Sequence, residues 1–350
     1  MDFGLKKPDK ILVIRFSSLG DVILTTPLLK TLKLKYPDAK IDYCTKAEYS
    51  DVLKFNPNIN TLFPVEDKLD FNGLKNLKKL IKNNSYDLIV DAHNNLRTFY
   101  LLLFSGTKIL KFKKYSLRKF LLVNFKINLM KKLPPISERY IQTLNKMRDK
   151  RADKYNIIPE IYTDENSRQK ADSMFKELNI PADSKLICII PGTKHFTKTY
   201  PAEYFAELIN QFDTSYRFLL VGKGNDKINI DIIKSKTSNK VFDLYDKLSV
   251  LELAEVMKRC SLVISGDTGP MHIAESLNIP LIMIAGSSVK EFGFYPQSKN
   301  SVVIENEGLR CRPCSHIGRS ECPLKHFKCM REIFPSSIFA KAEIFMAPDL

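Results

Sequence analysis

No run of ~18 or more uninterrupted apolar residues occurs in the chain, so a helix that spans a bilayer is not expected. Nor is there a signal-peptide layout, because Lys6, Lys7, Asp9 and Lys10 lead directly into the apolar segment Ile11–Ile14. The expected location is therefore the cytosol. Cysteines are few and odd in number, seven in 350 residues, which argues against a disulfide framework and for reduced thiols or a metal site. Several signatures of chemistry are missing as well. The first strand is not followed by Gly-x-Gly-x-x-Gly, no Gly-Lys-Ser/Thr phosphate loop occurs, and Gly222-x-Gly224 is too short to stand for either. Dehydrogenase and NTPase activities lose their support. No Gly-x-Ser-x-Gly elbow and no His-Glu-x-x-His pair is present, so a serine hydrolase or a zinc protease has none either.

Hydrophobic residues make up 44% of the chain, enough for real cores, and the length suits two domains of roughly 150–180 residues. The same organisation occurs twice. Strand signals at Ile11–Arg15, Ile41–Cys44, Thr61–Val65, Leu88–Val90 and Ile109–Phe112 alternate with helical periodicity over Val22–Tyr36 and Leu74–Ile81. A polar stretch follows, and the pattern restarts with Leu186–Ile190, helix Ala202–Gln211, strand Phe218–Val221, helix Val250–Lys258 and strands Leu262–Ile264 and Leu281–Ile284. Repeated β-α alternation predicts an α/β protein with two doubly wound parallel sheets. The expected division is an N-terminal domain over 1–150, a linker over 151–185, a C-terminal domain over 186–335, and a tail over 336–350 that packs back on the N-terminal domain. Ligands of such sheets bind at the carboxyl edges of the strands, and a cleft between the domains is the expected place.

The segment Cys260–His272 is the most informative. A buried-type strand stops at Gly266 and delivers Asp267, Thr268, Gly269 and His272 into a strand-to-helix turn. Free backbone N–H groups and the positive end of the helix dipole there suit a diphosphate. Pro270 is compatible with the first helical turn, where its missing N–H had no partner. The competing reading is that Asp267 or Thr268 only caps the helix. For Asp21, in the turn Phe16–Asp21, the same two readings stand: a reactive carboxylate at a helix N-terminus, or the cap of the helix starting at Val22.

Charge is unevenly distributed. The chain holds 55 Lys and Arg against 39 Asp and Glu, net +16, and from Lys108 to Lys132 no acid interrupts Lys108, Lys111, Lys113, Lys114, Arg118, Lys119, Lys126, Lys131 and Lys132. Aromatic and aliphatic residues lie between them. Such a surface suits an anionic membrane face or a polyanionic acceptor, with nucleic acid as the rival and a merely solvated lysine-rich face as the plainer reading. Cys311, Cys314, Cys322 and Cys329 form C-x2-C-x7-C-x6-C with His316 and His326 among them. The first pair has the spacing of a structural zinc site, and reduced thiols are the other reading.

Five ordered segments carry a family resemblance: ILVIRFSSLGDVILTTPLLKTLK, DLIVDAHNNLR, PGTKHFTKTYPAEYF, VISGDTGPMHIAESLNIPLIMIAG and CRPC…ECP…KCM. Together, from about Ile11 to Met330, they resemble glycosyltransferase family 9, the bacterial heptosyltransferases of the lipopolysaccharide inner core. The resemblance implies a GT-B fold of two Rossmann-like domains, acceptor on the first and nucleotide sugar on the second. It implies inverting transfer from ADP-L-glycero-D-manno-heptose to an acidic inner-core acceptor, with no cofactor required for catalysis. Asp21 resembles the general base, which takes the acceptor hydroxyl's proton. Thr193, Lys198, Asp226, Asp267, Thr268, Gly269 and His272 are expected at the donor, where a lysine offsets charge on the departing ADP. Ser18, Gly20, Arg97 and Arg118 are expected at the acceptor, since arginine pairs well with carboxylate and phosphate. The anionic inner face of the cytoplasmic membrane is the expected place of action, and nucleic acid is not an expected partner. The alternatives are a similar transferase using another nucleotide sugar, or a basic, cysteine-rich nucleic-acid-binding protein.

Overall fold

The computed structural model describes residues 7–66, 70–147 and 156–346. The chain forms two compact units: one of residues up to Tyr115 together with Ile136–Tyr162, the other of Ser116–Pro135 together with Thr163 onward.

The first unit is built on a five-stranded sheet of order β3-β2-β1-β4-β5, with β1 Lys10–Ile14, β2 Lys40–Lys46, β3 Thr61–Val65, β4 Leu88–Asp91 and β5 Lys108–Lys111. All neighbours are parallel, with Ile11 opposite Ile41 on one side and Leu88 on the other. Ile11, Leu12, Val13 and Ile14 of the central strand are at most 1% exposed. A strand covered on both faces needs an unbroken apolar run, which is what the sequence supplies there. The single helix expected over Val22–Tyr36 is two, Leu19–Ile23 and Thr26–Lys35. Thr25 between them turns its hydroxyl back to the Val22 carbonyl (2.6 Å) and shares a hydrogen bond with the Tyr43 hydroxyl (2.7 Å). Pro27 then fits the first turn of the second helix, where no N–H is required.

The second unit carries a six-stranded parallel sheet of order β11-β10-β9-β6-β7-β8. Its strands are β6 Lys185–Ile190, β7 Tyr216–Leu220, β8 Val241–Asp243, β9 Leu262–Gly266, β10 Leu281–Ala285 and β11 Ser301–Glu305. The doubly wound architecture expected from the β-α alternation is therefore present in both units.

The division of the chain differs from the expected one in three places. Ser116–Pro135 belongs to the second unit, because Leu122 and Met130 bury their side chains against Phe292. Lys126 Nζ fixes the segment further, donating to the carbonyls of Cys311 (3.1 Å) and Pro313 (2.7 Å). The second unit then starts at Thr163 instead of 186, since helix Glu165–Glu177 packs on helix Val250–Met257 and Lys170 pairs with Glu252 at 3.0 Å. The described part of the tail is grouped with the second unit. Helix Pro335–Met346 buries Ile338 and Ala342, one turn apart, in the core of the second, where a fully buried isoleucine contributes ~1.5–3 kcal/mol. Residues 151–155 of the expected linker and 347–350 of the tail lie outside the described residues. No helix among those described is long and apolar enough to cross a membrane.

Candidate active site

In a doubly wound sheet the chain reverses its direction of progress beside the central strand, and the loops at the carboxyl ends of the two strands flanking that point separate to leave a crevice. In the first unit that point lies between β1 and β4, and in the second between β6 and β9. The loops after these four strands hold most of the residues singled out by sequence.

In the first unit, the loop after β1 leads into helix Leu19–Ile23, with Ser18 as its N-cap and Asp21 in its first turn. Asp21 is therefore not the cap. Its Oδ2 accepts from the Ser18 backbone N–H (3.2 Å) and hydroxyl (3.0 Å) and pairs with Arg15 Nη2 at 2.7 Å. The Tyr140 hydroxyl donates to Oδ1 from helix Ile136–Ile141 at 3.3 Å. Burial by itself would push the Asp21 carboxyl up; Arg15 and the Ser18 hydrogen bonds outweigh it and hold the group below its ordinary value. The carboxylate is thus ionised at neutral pH, with its side chain 18% exposed. Arg15 is itself fixed, donating through Nε to Ser17 O (2.7 Å) and through Nη1 to Ala92 O (2.9 Å).

The loop after β4 contributes Asp91, His93 and Arg97. Asp91 Oδ1 accepts from the N–H groups of His93 (3.1 Å) and Asn94 (2.6 Å). Asp91 Oδ2 and His93 Nδ1 are buried without a hydrogen-bond partner among the described residues. Burial, then the charges of Arg15 and Lys114, push the His93 imidazole down to about 3, so it is neutral across the physiological range. Arg97, the second residue of helix Leu96–Leu102, is exposed and adds to the positive potential at His93. The Lys114 ammonium is pushed down by burial and by Arg15. Ser18 and Gly20 therefore share a turn with Asp21, and Arg97 sits at the start of the helix after β4. Arg118 is not in this unit: it lies on helix Ser116–Phe125 and donates to Leu129 O at 3.3 Å.

In the second unit, the loop after β6 carries Thr193 and Lys198, and the loop after β9 carries Asp267. Lys198 Nζ and Asp267 Oδ2 are 2.6 Å apart, with side chains 14% and 10% exposed. The Ser288 hydroxyl, from the loop after β10, donates to the same oxygen at 2.6 Å. The close approach of the loops requires Gly266, since a Cβ there would stand 2.8 Å from the Lys198 carbonyl and 2.9 Å from Thr193 Cγ2. Thr268 is the N-cap of helix Gly269–Ser276 but makes no capping hydrogen bond with its side chain. His272 lies within that helix, 2% exposed, its Nδ1 3.0 Å from Glu275 Oε2, and Glu275 Oε1 accepts the Gln297 N–H at 2.5 Å. This arrangement fixes the loop from behind.

Thr193 and Asp226 border a cavity of about 690 Å³ within this unit, shared with Lys194, Phe196, Asn225 and Arg331. Lys198, Asp267, Thr268, Gly269 and His272 are outside its lining. Asp226 opens helix Asp226–Lys236 and presses on Gly192, where a Cβ would overlap its Oδ1 at 1.7 Å. Burial raises this carboxyl, and the Lys223 N–H bonded to it counteracts in part.

The cysteine-rich segment lies against the loops of this unit. Among the described residues, no three His, Cys, Asp or Glu side chains come together so as to hold a metal ion. Cys311, Cys314, Cys322 and Cys329 are free thiols, and burial pushes Cys314 up and Cys329 up to about 12. The segment braces the loops around Lys198. Arg312 Nη2 donates to Ser288 O at 2.6 Å, the Thr197 N–H donates to Arg319 O at 3.2 Å, and the Arg319 N–H donates to Thr197 Oγ1 at 2.9 Å. Arg15, Tyr140, Ser288 and Arg312 were not anticipated as site residues. Arg15 lies inside the first quoted motif and Arg312 inside the CRPC motif, whereas Tyr140 comes from a distant part of the chain.

Two Rossmann-like units, each presenting charged side chains at its own switch point, define a protein of the GT-B type. The solved structure of a family 9 glycosyl transferase from Veillonella parvula has the same fold, with a TM-score of 0.81 at 24% identity and 97% of each chain covered. ADP-heptose lps heptosyltransferase II of E. coli follows, with a TM-score of 0.76 at 21% identity over 96% of this chain and 98% of that one. In sequence, the chain is 24% identical over 344 residues to lipooligosaccharide heptosyltransferase 2 of Campylobacter jejuni, covering 93% of this chain and 94% of the relative. Residues 74–325 match the model of glycosyltransferase family 9 (heptosyltransferase), and the chain belongs to that family. It is a glycosyltransferase, as the resemblance of its motifs implied.

Proposed function

We propose that this enzyme transfers heptose from ADP-L-glycero-D-manno-heptose, with inversion, to a hydroxyl of an acidic lipopolysaccharide inner-core acceptor at the inner face of the cytoplasmic membrane. The observation that carries the reading is the ionised Asp21 carboxylate, held at the switch point of the first sheet by Arg15 and Ser18. In the proposed step the acceptor hydroxyl gives its proton to Asp21 as its oxygen attacks the anomeric carbon. The bond from that carbon to the diphosphate breaks on the opposite face, and ADP leaves with the electron pair. Ser18 and Gly20 shape the turn, while Arg97 meets the acceptor's carboxylate or phosphate.

The second unit binds the donor. Lys198 neutralises charge that builds on the departing diphosphate, and the Thr268 hydroxyl and the N–H groups at Thr268 and Gly269 take its oxygens. Asp226 and Thr193 face the nucleoside, and His272 keeps the turn in shape through Glu275. Relatives named as heptosyltransferases of lipooligosaccharide and lipopolysaccharide support the choice of sugar and acceptor. The test is calorimetric titration with ADP, UDP and GDP, followed by turnover of the Asp21→Ala variant. The expected result is preference for ADP and a loss of turnover of roughly 10²–10⁴-fold with ADP binding retained. Equal binding of the three nucleotides would point to another donor, and full turnover without the carboxylate would remove Asp21 from the mechanism.

A further inference from the structure

Helices Phe71–Asn83 and Leu96–Leu102 of the first unit pack on each other and leave large apolar side chains in solvent. Phe71 is 60% exposed, Leu96 86%, Phe99 53% and Phe104 88%. Phe104 also has a left-handed backbone, φ 61°, a conformation that favours glycine or asparagine and that a bulky residue seldom adopts. Packing explains neither its conformation nor its exposure. Scattered apolar residues on a surface are ordinary, but a contiguous set marks a place of contact.

Phe71 and Phe99 are joined to their surroundings through the ring of Tyr100 and a set of lysines. The rings of Phe71 and Tyr100 are 6.0 Å apart, and lysines stand over three of the rings: Lys75 4.5 Å from Phe71, Lys78 4.8 Å from Tyr100 and Lys111 5.5 Å from Phe99. A cavity of about 360 Å³ beside them is lined by Lys78, Lys82, Leu103 and Phe104. Neither helix contains an acidic residue, and Lys79 and Lys82 are exposed on the first.

We infer that this face docks on a bilayer containing anionic lipid, with Leu96, Phe99 and Phe104 entering the acyl boundary and the lysines pairing with head groups. The chemistry selects this occupant. Protruding Leu96 and Leu103 have no use on a nucleic acid, and a second copy would set lysine against lysine across the contact. Basic side chains around protruding aromatic and aliphatic ones are what an anionic interface binds. The inference takes its setting from the lipid-borne acceptor proposed above, but its geometry is independent of that reading. Of the Lys108–Lys132 stretch, only Lys111 contributes to this face.

The experiment is sedimentation of the full chain with vesicles of phosphatidylglycerol and phosphatidylethanolamine, and with vesicles of phosphatidylcholine alone. The protein is expected on the anionic vesicles only and is expected to leave them as salt rises. The double variant Leu96→Ser, Phe104→Ser should lose at least about tenfold in partition, and Lys79→Glu with Lys82→Glu at least about fivefold per residue. Unchanged thermal melting of these variants confirms that the fold is intact. Heptosyl transfer to a soluble, delipidated acceptor should stay at the parent level in both. Equal binding to phosphatidylcholine, undiminished binding by both variants, or a lipid-free dimer abolished by them would overturn the inference. Vesicle binding by a protein that shows no heptosyl transfer would instead sink the proposed function and leave the docking face standing.

Discussion

Arg15 Nη2 lies 2.7 Å from Asp21 Oδ2, and the guanidinium also stands over the Tyr140 ring at 5.8 Å. The carboxylate proposed to accept the proton is thereby kept ionised inside a partly desolvated pocket, where burial alone would have protonated it more readily. The arrangement lowers the intrinsic basicity of Asp21 while extending the pH range in which it is available.

That balance predicts the acid limb of the pH profile. In the parent enzyme kcat/KM should fall only as pH drops below the usual carboxylate value of about 3.9. In Arg15→Met the burial of the carboxyl, no longer opposed, should move the limb to higher pH, with Arg15→Lys in between. The same pair stabilises the fold at pH above the unfolded carboxylate's value, and the contribution is lost as pH falls through the lower folded one. Acid melting curves of parent and Arg15→Met should therefore converge at low pH. An acid limb that does not move would show that Arg15 has no hold on the base.

His93 gives an independent check on the potential in this pocket. Its imidazole, pushed down to about 3 by burial and by Arg15 and Lys114, should show no titration in NMR spectra between about pH 5 and 8. Lys114→Met removes one of the charges, so the histidine should titrate at higher pH than in the parent. A parent His93 that protonates near pH 6.5, the ordinary value of about 6.5, would contradict the cationic surroundings described.

Removing the ammonium at the second switch point tests the proposed diphosphate site. A charge-assisted hydrogen bond contributes about 2 kcal/mol, so Lys198→Met should weaken ADP binding roughly thirtyfold. Adenosine, which lacks the diphosphate, should bind parent and variant alike. Calorimetry with the two ligands separates loss of a phosphate contact from general damage to the loop.

Arg312 touches neither Lys198 nor Asp267, yet it holds the Ser288 carbonyl while the Ser288 hydroxyl holds Asp267. It is a positioning residue. Arg312→Ala should raise the Kd for ADP by several-fold, and Ser288→Ala should do the same with little further effect when the two are combined, as expected of residues acting through one chain of bonds. Strictly additive losses would mean that Arg312 acts by another route.

Much of this architecture can be read in the chain because its strongest signals are local. The apolar runs Ile11–Ile14 of β1 and Leu262–Ile264 of β9 stand shortly ahead of Asp21 and Asp267, so strand, turn and carboxylate lie in one short segment in each unit. Where a feature depends on partners far apart in sequence, periodicity does not register it. Tyr140 meets Asp21 across 119 positions and Lys198 meets Asp267 across 69. Helix Asp226–Lys236 was not anticipated because its buried Ile230 and Ile233 are set among lysines and exposed Ile228, which blurs the apolar stripe. The cysteine segment is a related case. Cysteine spacing fixes the distance along the chain, not the convergence of thiols, and here the intervening Arg312 and Arg319 are turned to loop carbonyls instead.

The chain passes between its two units three times, at 115/116, 135/136 and 162/163. Neither unit is thus a contiguous stretch of gene. A hybrid enzyme joined to a relative near residue 150 would inherit Leu122 and Met130 from one parent and Phe292 from the other, mixing a small shared core that each parent had fitted to itself. Exchange of either unit among such enzymes by recombination therefore calls for two segments to move together.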